Sequence, residues 1–127
     1  MFRVLVSDKI AKEGLSPLLD SDQITVVEKN VNDADDLDTY DALLVRSATK
    51  VTDEVMSKMP NLKIIGRAGV GVDNIDIPAA TKRGINVVNA PAGNTIATAE
   101  LTFALMLALA RKVCRANESI RNEEWNR

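Results

Sequence analysis

Residues 63–100, KIIGRAGVGVDNIDIPAATKRGINVVNAPAGNTIATAE, hold five of the six glycines and two of the four prolines, set among polar side chains. Two short β-branched runs, Lys63-Ile64-Ile65 and Asn86-Val87-Val88, each lead into a loop containing Gly, Asn or Pro and then into helix-forming sequence. This is the pattern of an α/β sheet edge, and ligands of open α/β sheets bind outside the carboxyl ends of the strands.

The rest of the chain repeats the alternation. Strand candidates lie at 2–7, 24–28, 42–46, 62–66 and 86–89, rich in Val, Ile or Leu and without clean polar alternation, as in strands covered on both faces. Between them fall helix candidates at 11–21, at 53–59 behind a Thr52 cap, and at 78–83, opened by Asp76 and stopped by Gly84, with a short acidic helical start at 33–39. The pattern predicts an α/β fold, a flavodoxin-like three-layer arrangement around a parallel five-stranded sheet in the order 2-1-3-4-5.

Residues 96–114 contain neither Gly nor Pro and predict one long helix, apolar on all faces and therefore buried all round. The polar stretch 115–127 adds no strand to cover it. The expected organisation is a domain at 1–95, followed at 96–127 by a helical segment that begins something longer.

At 127 residues the chain has the size of one domain, with 46% hydrophobic and 27% charged residues, close to globular averages. A net charge of -2 and an aromatic set of two Phe, one Tyr and one Trp argue against a nucleic-acid partner. The apolar run at 103–110 is far short of the roughly 18 residues of a membrane span. The start of the chain shows no signal-peptide pattern, and the single Cys114, read as a small buried helix residue, suits a reducing compartment; cytoplasm is the expected location.

The absence of histidine constrains the chemistry most. Neutral-pH proton transfer usually falls to His, and Cys/His metal sites need more than one cysteine. The acidic cluster Asp33, Asp35, Asp36 and Asp38 reads as a solvated helix start. Gly69-Val70-Gly71 opens like the dinucleotide fingerprint G-x-G-x-x-G, but Asn74 stands at the third glycine position, so it is rejected as a phosphate loop. Two readings remain there: a close backbone turn, or a nest of N–H groups able to hold a carboxylate.

Arg46-Ser47-Ala48-Thr49-Lys50 follows the third strand, and Arg67 holds the matching position after the fourth. Either the two arginines face one carboxylate- or phosphate-bearing ligand, or each pairs with a neighbouring acid such as Asp8 or Asp73. Asn94 or Thr95 caps the last helix; Asn94 alternatively faces the same crevice.

These residues carry a resemblance. VRSATKVT at 45–52, GRAGVGVDNIDIPAATKRGINVVNAP at 66–91 and GNTIATAELTFALMLALAR at 93–111 closely resemble the D-isomer-specific 2-hydroxyacid dehydrogenases, in particular the branch acting on 3-phosphoglycerate. The resemblance implies an NAD-dependent oxidation of 3-phosphoglycerate to 3-phosphohydroxypyruvate in serine biosynthesis. It implies substrate contacts at Arg46, Ser47, Arg67, Ala68, Gly69 and Asn94, and cofactor contacts at Val70 and Thr98.

It further implies that 96–127 holds a hinge helix and the start of an NAD-binding domain, and the all-round apolar helix at 96–114 is expected to join two copies as a homodimer. The family's true phosphate loop, its ribose-binding acid and its catalytic Arg, Glu and His belong downstream of these motifs, so no catalytic residue is assigned within the chain and the chain by itself is expected to be inactive. A glyoxylate, hydroxypyruvate or D-lactate reductase of the same family is the alternative, with a non-catalytic ligand-binding or dimerisation module as the alternative from another class. A phosphoacceptor module would need an acid where Arg46 stands.

Overall fold

The structure, a computed structural model, describes residues 1–125 and divides into two compact units, Met1–Gly93 and Asn94–Arg127. In the first, strands β1 (Phe2–Val6), β2 (Ile24–Glu28), β3 (Ala42–Val45), β4 (Ile64–Arg67) and β5 (Asn86–Asn89) form one sheet in the order β2-β1-β3-β4-β5. Every pairing is parallel, as the alternation predicts. Helices α1 (Lys12–Leu19), α2 (Asp53–Ser57) and α3 (Ile77–Lys82) lie between strands.

Side chains alternate across the sheet with the two-residue period of a strand. Leu5, Leu43, Val45 and Ile65 face Met56, Met59, Ala79 and Ala80, the α2 and α3 side, with Tyr40 and Val51 buried among them. Val4, Val6 and Ala42 face Leu15 of α1, with Leu44 and Ile64 packed beside them. Each fully buried side chain of this kind contributes about 1.5–3 kcal/mol, so the layer around Leu43 and Ile65 dominates the unit's stability. The edge strand β5 departs from two-sided burial, since Val88 is 48% exposed.

The caps follow from local chemistry. Thr52 accepts the Val55 N–H and Asp76 the Ala79 N–H, each satisfying an otherwise orphan helix donor. Gly84 ends the α3 turn at a φ of 69°, a conformation in which a Cβ is strained. The acidic segment gives only a 3-10 turn at Leu37–Thr39, and Asp36 is not simply solvated. It accepts from Arg3 at 3.0 Å and from the Tyr40 hydroxyl at 3.2 Å, partners on β1 and beside β3 that outcompete a local helix.

The second unit corrects three expectations. The single helix expected at 96–114 is two, α4 (Thr95–Ala110) and α5 (Val113–Arg121), broken where Lys112 adopts the left-handed conformation at a φ of 52°. Nor is α4 buried all round: none of its residues is buried, and Phe103 and Leu107 are 66% and 65% exposed. Composition specifies what a helix can bury, whereas burial needs a surface opposite it, and α4 has apolar side chains on every face. Cys114, expected to be buried, is exposed at the start of α5.

Candidate functional site

Parallel strands end in register, and this puts the loops after β1, β3 and β4 side by side. Val45, Arg67 and Asn89 share one row across β3, β4 and β5. The first groups beyond that row organise the site.

Asp8, just after β1, takes three donors from the loop after β3. Its Oδ2 accepts the Arg46 N–H at 2.6 Å and the Thr49 N–H at 3.2 Å, and its Oδ1 accepts the Thr49 hydroxyl at 2.7 Å. Burial pushes the Asp8 carboxyl up, but the Thr49 hydroxyl, the Arg46 and Thr49 backbone donors and the Arg46 charge outweigh it and hold the group below its ordinary value. An ionised carboxylate only accepts, so the Thr49 proton points at Asp8. The Ser7 hydroxyl, 2.9 Å from Thr49 Oγ1, therefore donates to Thr49 while accepting the Val31 N–H at 2.9 Å. Ser7 and Thr49 are both buried, and this short chain of bonds fixes three loop starts together.

Held this way, the 46–48 turn presents Arg46, Ser47 and Ala48 as exposed residues. Arg46 does not pair with Asp8 through its guanidinium; it offers Asp8 its backbone N–H, while Nη1 donates to the Lys9 carbonyl at 3.3 Å. Lys50 is also exposed. Arg67 is different: its side chain is only 11% exposed, Nε donates to Asn74 Oδ1 at 3.0 Å, and Nη2 stands 3.9 Å from the exposed Asp73 carboxylate. That separation makes Asp73 a weak partner beside the Asn74 bond.

The Arg67 guanidinium lies across Gly69, so a side chain at position 69 would have to displace it. A Cβ there would meet Arg67 Nη1 at 2.5 Å. The Gly69 N–H already donates to the Arg67 carbonyl at 2.9 Å, so a two-glycine nest with both N–H groups bare is not what the loop builds. Ala68 is exposed, with its N–H on the Val45 carbonyl. Val70 is 39% exposed, and its carbonyl accepts from Asn89 Nδ2 at 2.6 Å. The helix after this loop, α3, starts on the Asp76 carboxylate, which occupies the end a pyrophosphate would need.

Of the residues singled out in the sequence, Arg46, Ser47, Arg67, Ala68, Gly69 and Val70 thus lie at the carboxyl edge of β3 and β4. Asn94 and Thr98 belong to the second unit, at the start of α4, where Asn94 makes no side-chain capping bond and its carbonyl accepts the Thr98 N–H at 2.9 Å. Two residues with structural command of the site, Asp8 and Asn74, had weaker signals. Asp8 was legible only as an acid near Arg46, and Asn74 only as the residue that spoils a glycine motif.

A parallel sheet of this order, with Arg46 and Arg67 at its carboxyl edge, defines an α/β domain, and sequence comparison makes the class specific. The sequence model of the D-isomer specific 2-hydroxyacid dehydrogenase catalytic domain matches residues 4–123. The chain belongs to this family. It is 63% identical over its whole length to a D-3-phosphoglycerate dehydrogenase of Bacillus subtilis, covering 24% of that relative, and 51% identical to one from Synechocystis, covering 23%. It spans about a quarter of the length of these curated relatives. Among solved structures, a D-lactate dehydrogenase from Aquifex aeolicus in complex with NAD and lactic acid superposes with a TM-score of 0.83 at 27% identity, over 98% of this chain and 38% of that one.

Proposed function

We propose that the chain forms the substrate-binding part of an NAD-dependent D-3-phosphoglycerate dehydrogenase, which oxidises the C2 alcohol of 3-phosphoglycerate to the ketone of 3-phosphohydroxypyruvate. The observation that carries this reading is the exposed Arg46-Ser47 turn, fixed by Asp8 beside Arg67 and facing outward from the carboxyl edge. Guanidinium and hydroxyl groups there suit a ligand carrying both a carboxylate and a phosphate. The names of the relatives at 63% and 51% identity favour the phosphorylated substrate over lactate or glyoxylate.

Arg46 and Ser47 bind the anionic ends of the substrate, and the 67–69 backbone borders the reacting carbons. NAD, when bound, accepts the hydride. The first unit supplies only an edge contact to it, at Val70, because the turn after β4 leads into a helix already capped by Asp76. The proton-accepting histidine that the family resemblance implies is not among these residues, since the chain contains no histidine. The first unit is accordingly the substrate domain, and the helices after it serve as hinge and as the contact between two copies. No helix among the described residues is long and apolar enough to cross a membrane, and a cytoplasmic setting suits the metabolite.

The test is a chimera in which this chain replaces the matching quarter of the Bacillus subtilis relative. The chimera should reduce NAD with 3-phosphoglycerate, and Arg46→Ala should raise KM about tenfold to a hundredfold, the loss of one charge-assisted contact of roughly 1.5–3 kcal/mol. The 127-residue chain alone should form no NADH above a blank. A chimera that prefers D-lactate or glyoxylate would overturn the substrate assignment.

A further inference from the structure

Asn74 ties the loop after β3, which carries Arg46, to Arg67 at the end of β4. Its Nδ2 donates to the Arg46 carbonyl at 2.7 Å and to the Thr49 carbonyl at 2.6 Å, while its Oδ1 accepts from Arg67 Nε at 3.0 Å. Both amide protons and the amide oxygen are therefore engaged, across separations of 28, 25 and 7 residues. Its main chain adds a fourth tie, the Asn74 carbonyl accepting the Val51 N–H at 2.8 Å, next to the Val51–Ile75 bridge.

The 46–49 turn is thereby gripped from two sides by opposite chemistry. Asp8 accepts its N–H groups, and Asn74 donates to its carbonyls. No other standard side chain of this size performs both halves of the Asn74 role. An aspartate would still accept from Arg67 but would face two carbonyl oxygens with no proton to give, and an alanine would lose all three side-chain bonds. The same residue orients Arg67, whose guanidinium is then pressed against Gly69.

We infer that Asn74 is a positioning residue of the anion site, setting the Arg46-Ser47 turn and the Arg67 guanidinium in one geometry before ligand arrives. The inference rests on the proposed substrate site. Its physical basis is preorganisation: a turn already fixed loses little freedom when the anion binds, whereas a released turn must be ordered at the expense of affinity.

The experiment uses the full 127-residue chain labelled with ¹⁵N, as wild type, Asn74→Asp and Asn74→Ser, with amide exchange read first and 3-phosphoglycerate titrated second. In Asn74→Asp the Arg46 and Thr49 amides should exchange at least about tenfold faster while strand amides keep their protection, and the Kd for 3-phosphoglycerate should rise at least about tenfold. Asn74→Ser, which keeps a donor but not the full reach, should fall between; should Asn74→Asp fail to fold, Asn74→Ser carries both readouts. Unchanged exchange at Arg46 and Thr49 would overturn the inference, and so would faster exchange with an unchanged Kd, which would leave Asn74 a purely structural residue. Wild-type chain that takes up no 3-phosphoglycerate would instead bring down the substrate site itself, and with it any positioning role.

Discussion

The two units of the chain obey the same rules of burial and reach opposite results. In Met1–Gly93 apolar side chains alternate along strands, so each face of the sheet finds α1 or the α2 and α3 pair opposite it, and Leu5, Leu43 and Ile65 are fully buried. In α4 the apolar side chains fall on every face and none is buried. Periodicity, more than hydrophobic content, decides whether a segment closes its own core or leaves surface for another body. The first unit closes its own core; the second leaves the apolar side chains of α4 exposed.

The most forceful way to break this comparison is to delete matched side chains. Leu43→Ala should cost about 2–5 kcal/mol, as large-to-small changes in packed cores do, and should lower the denaturation midpoint of the first unit accordingly. Leu107→Ala should change the midpoint by less than about 0.5 kcal/mol in the monomer. Equal losses would mean that α4 already has a packed core of its own.

Assembly sharpens the same contrast. The exposed side chains of Leu101, Phe103, Leu105, Met106, Leu107 and Leu109, spread around α4, make an amount of apolar surface that soluble monomers rarely carry. Sedimentation should show self-association, most simply a two-fold dimer, and the double change Met106→Glu with Leu107→Glu should shift the mass to monomer. A wild-type chain that sediments as monomer at high concentration with α4 helical would contradict the covered-helix account.

Local devices give smaller effects. Asp76→Ala should cost about 0.5–2 kcal/mol through loss of the bond to the Ala79 N–H. In the second unit the sign reverses: Lys112→Gly should stabilise the α4 to α5 break by up to about 1 kcal/mol, since glycine relieves the penalty of a φ of 52°. Melting curves of the two variants check both.

Acid should act through the first unit. Asp8 is held below its ordinary value of 3.8, chiefly by the Thr49 hydroxyl and backbone donors against the opposing effect of burial. A lowered folded value means that its contribution is fully present above the unfolded carboxylate range and is lost as pH falls through the folded value. Asp41, Asp53 and Glu54 are shifted in the same direction by Lys63, Arg83 and Lys58. Asp8→Asn should therefore be less stable than wild type at pH 7, with the gap narrowing below about pH 4; a gap independent of pH would remove ionisation from the explanation.

The elements legible in the sequence were those specified by local chemistry. Val, Ile and Leu runs marked all five strands, and Thr52, Asp76 and Gly84 marked helix ends because each acts on backbone within a few residues. The break at Lys112 escaped notice because lysine carries no preference for the left-handed region. Asp33, Asp35 and Asp38 are exposed as expected, whereas Asp36 departs from that reading because its partners, Arg3 and Tyr40, are assembled by the fold. Asn74 shows the limit most clearly. The substitution that ruled out a phosphate loop is visible in one dimension, but the carbonyls it holds lie 25 and 28 residues away.

The central claim, that the carboxyl edge of the first unit binds a phosphorylated carboxylate through Arg46 and Ser47, is tested most directly by a single titration. Titrating 3-phosphoglycerate into ¹⁵N-labelled chain should give millimolar affinity, with shifts at Arg46, Ser47 and the 67–69 backbone and with Arg46→Ala abolishing them. The absence of shifts at these residues, or an affinity unchanged in Arg46→Ala, would contradict the account.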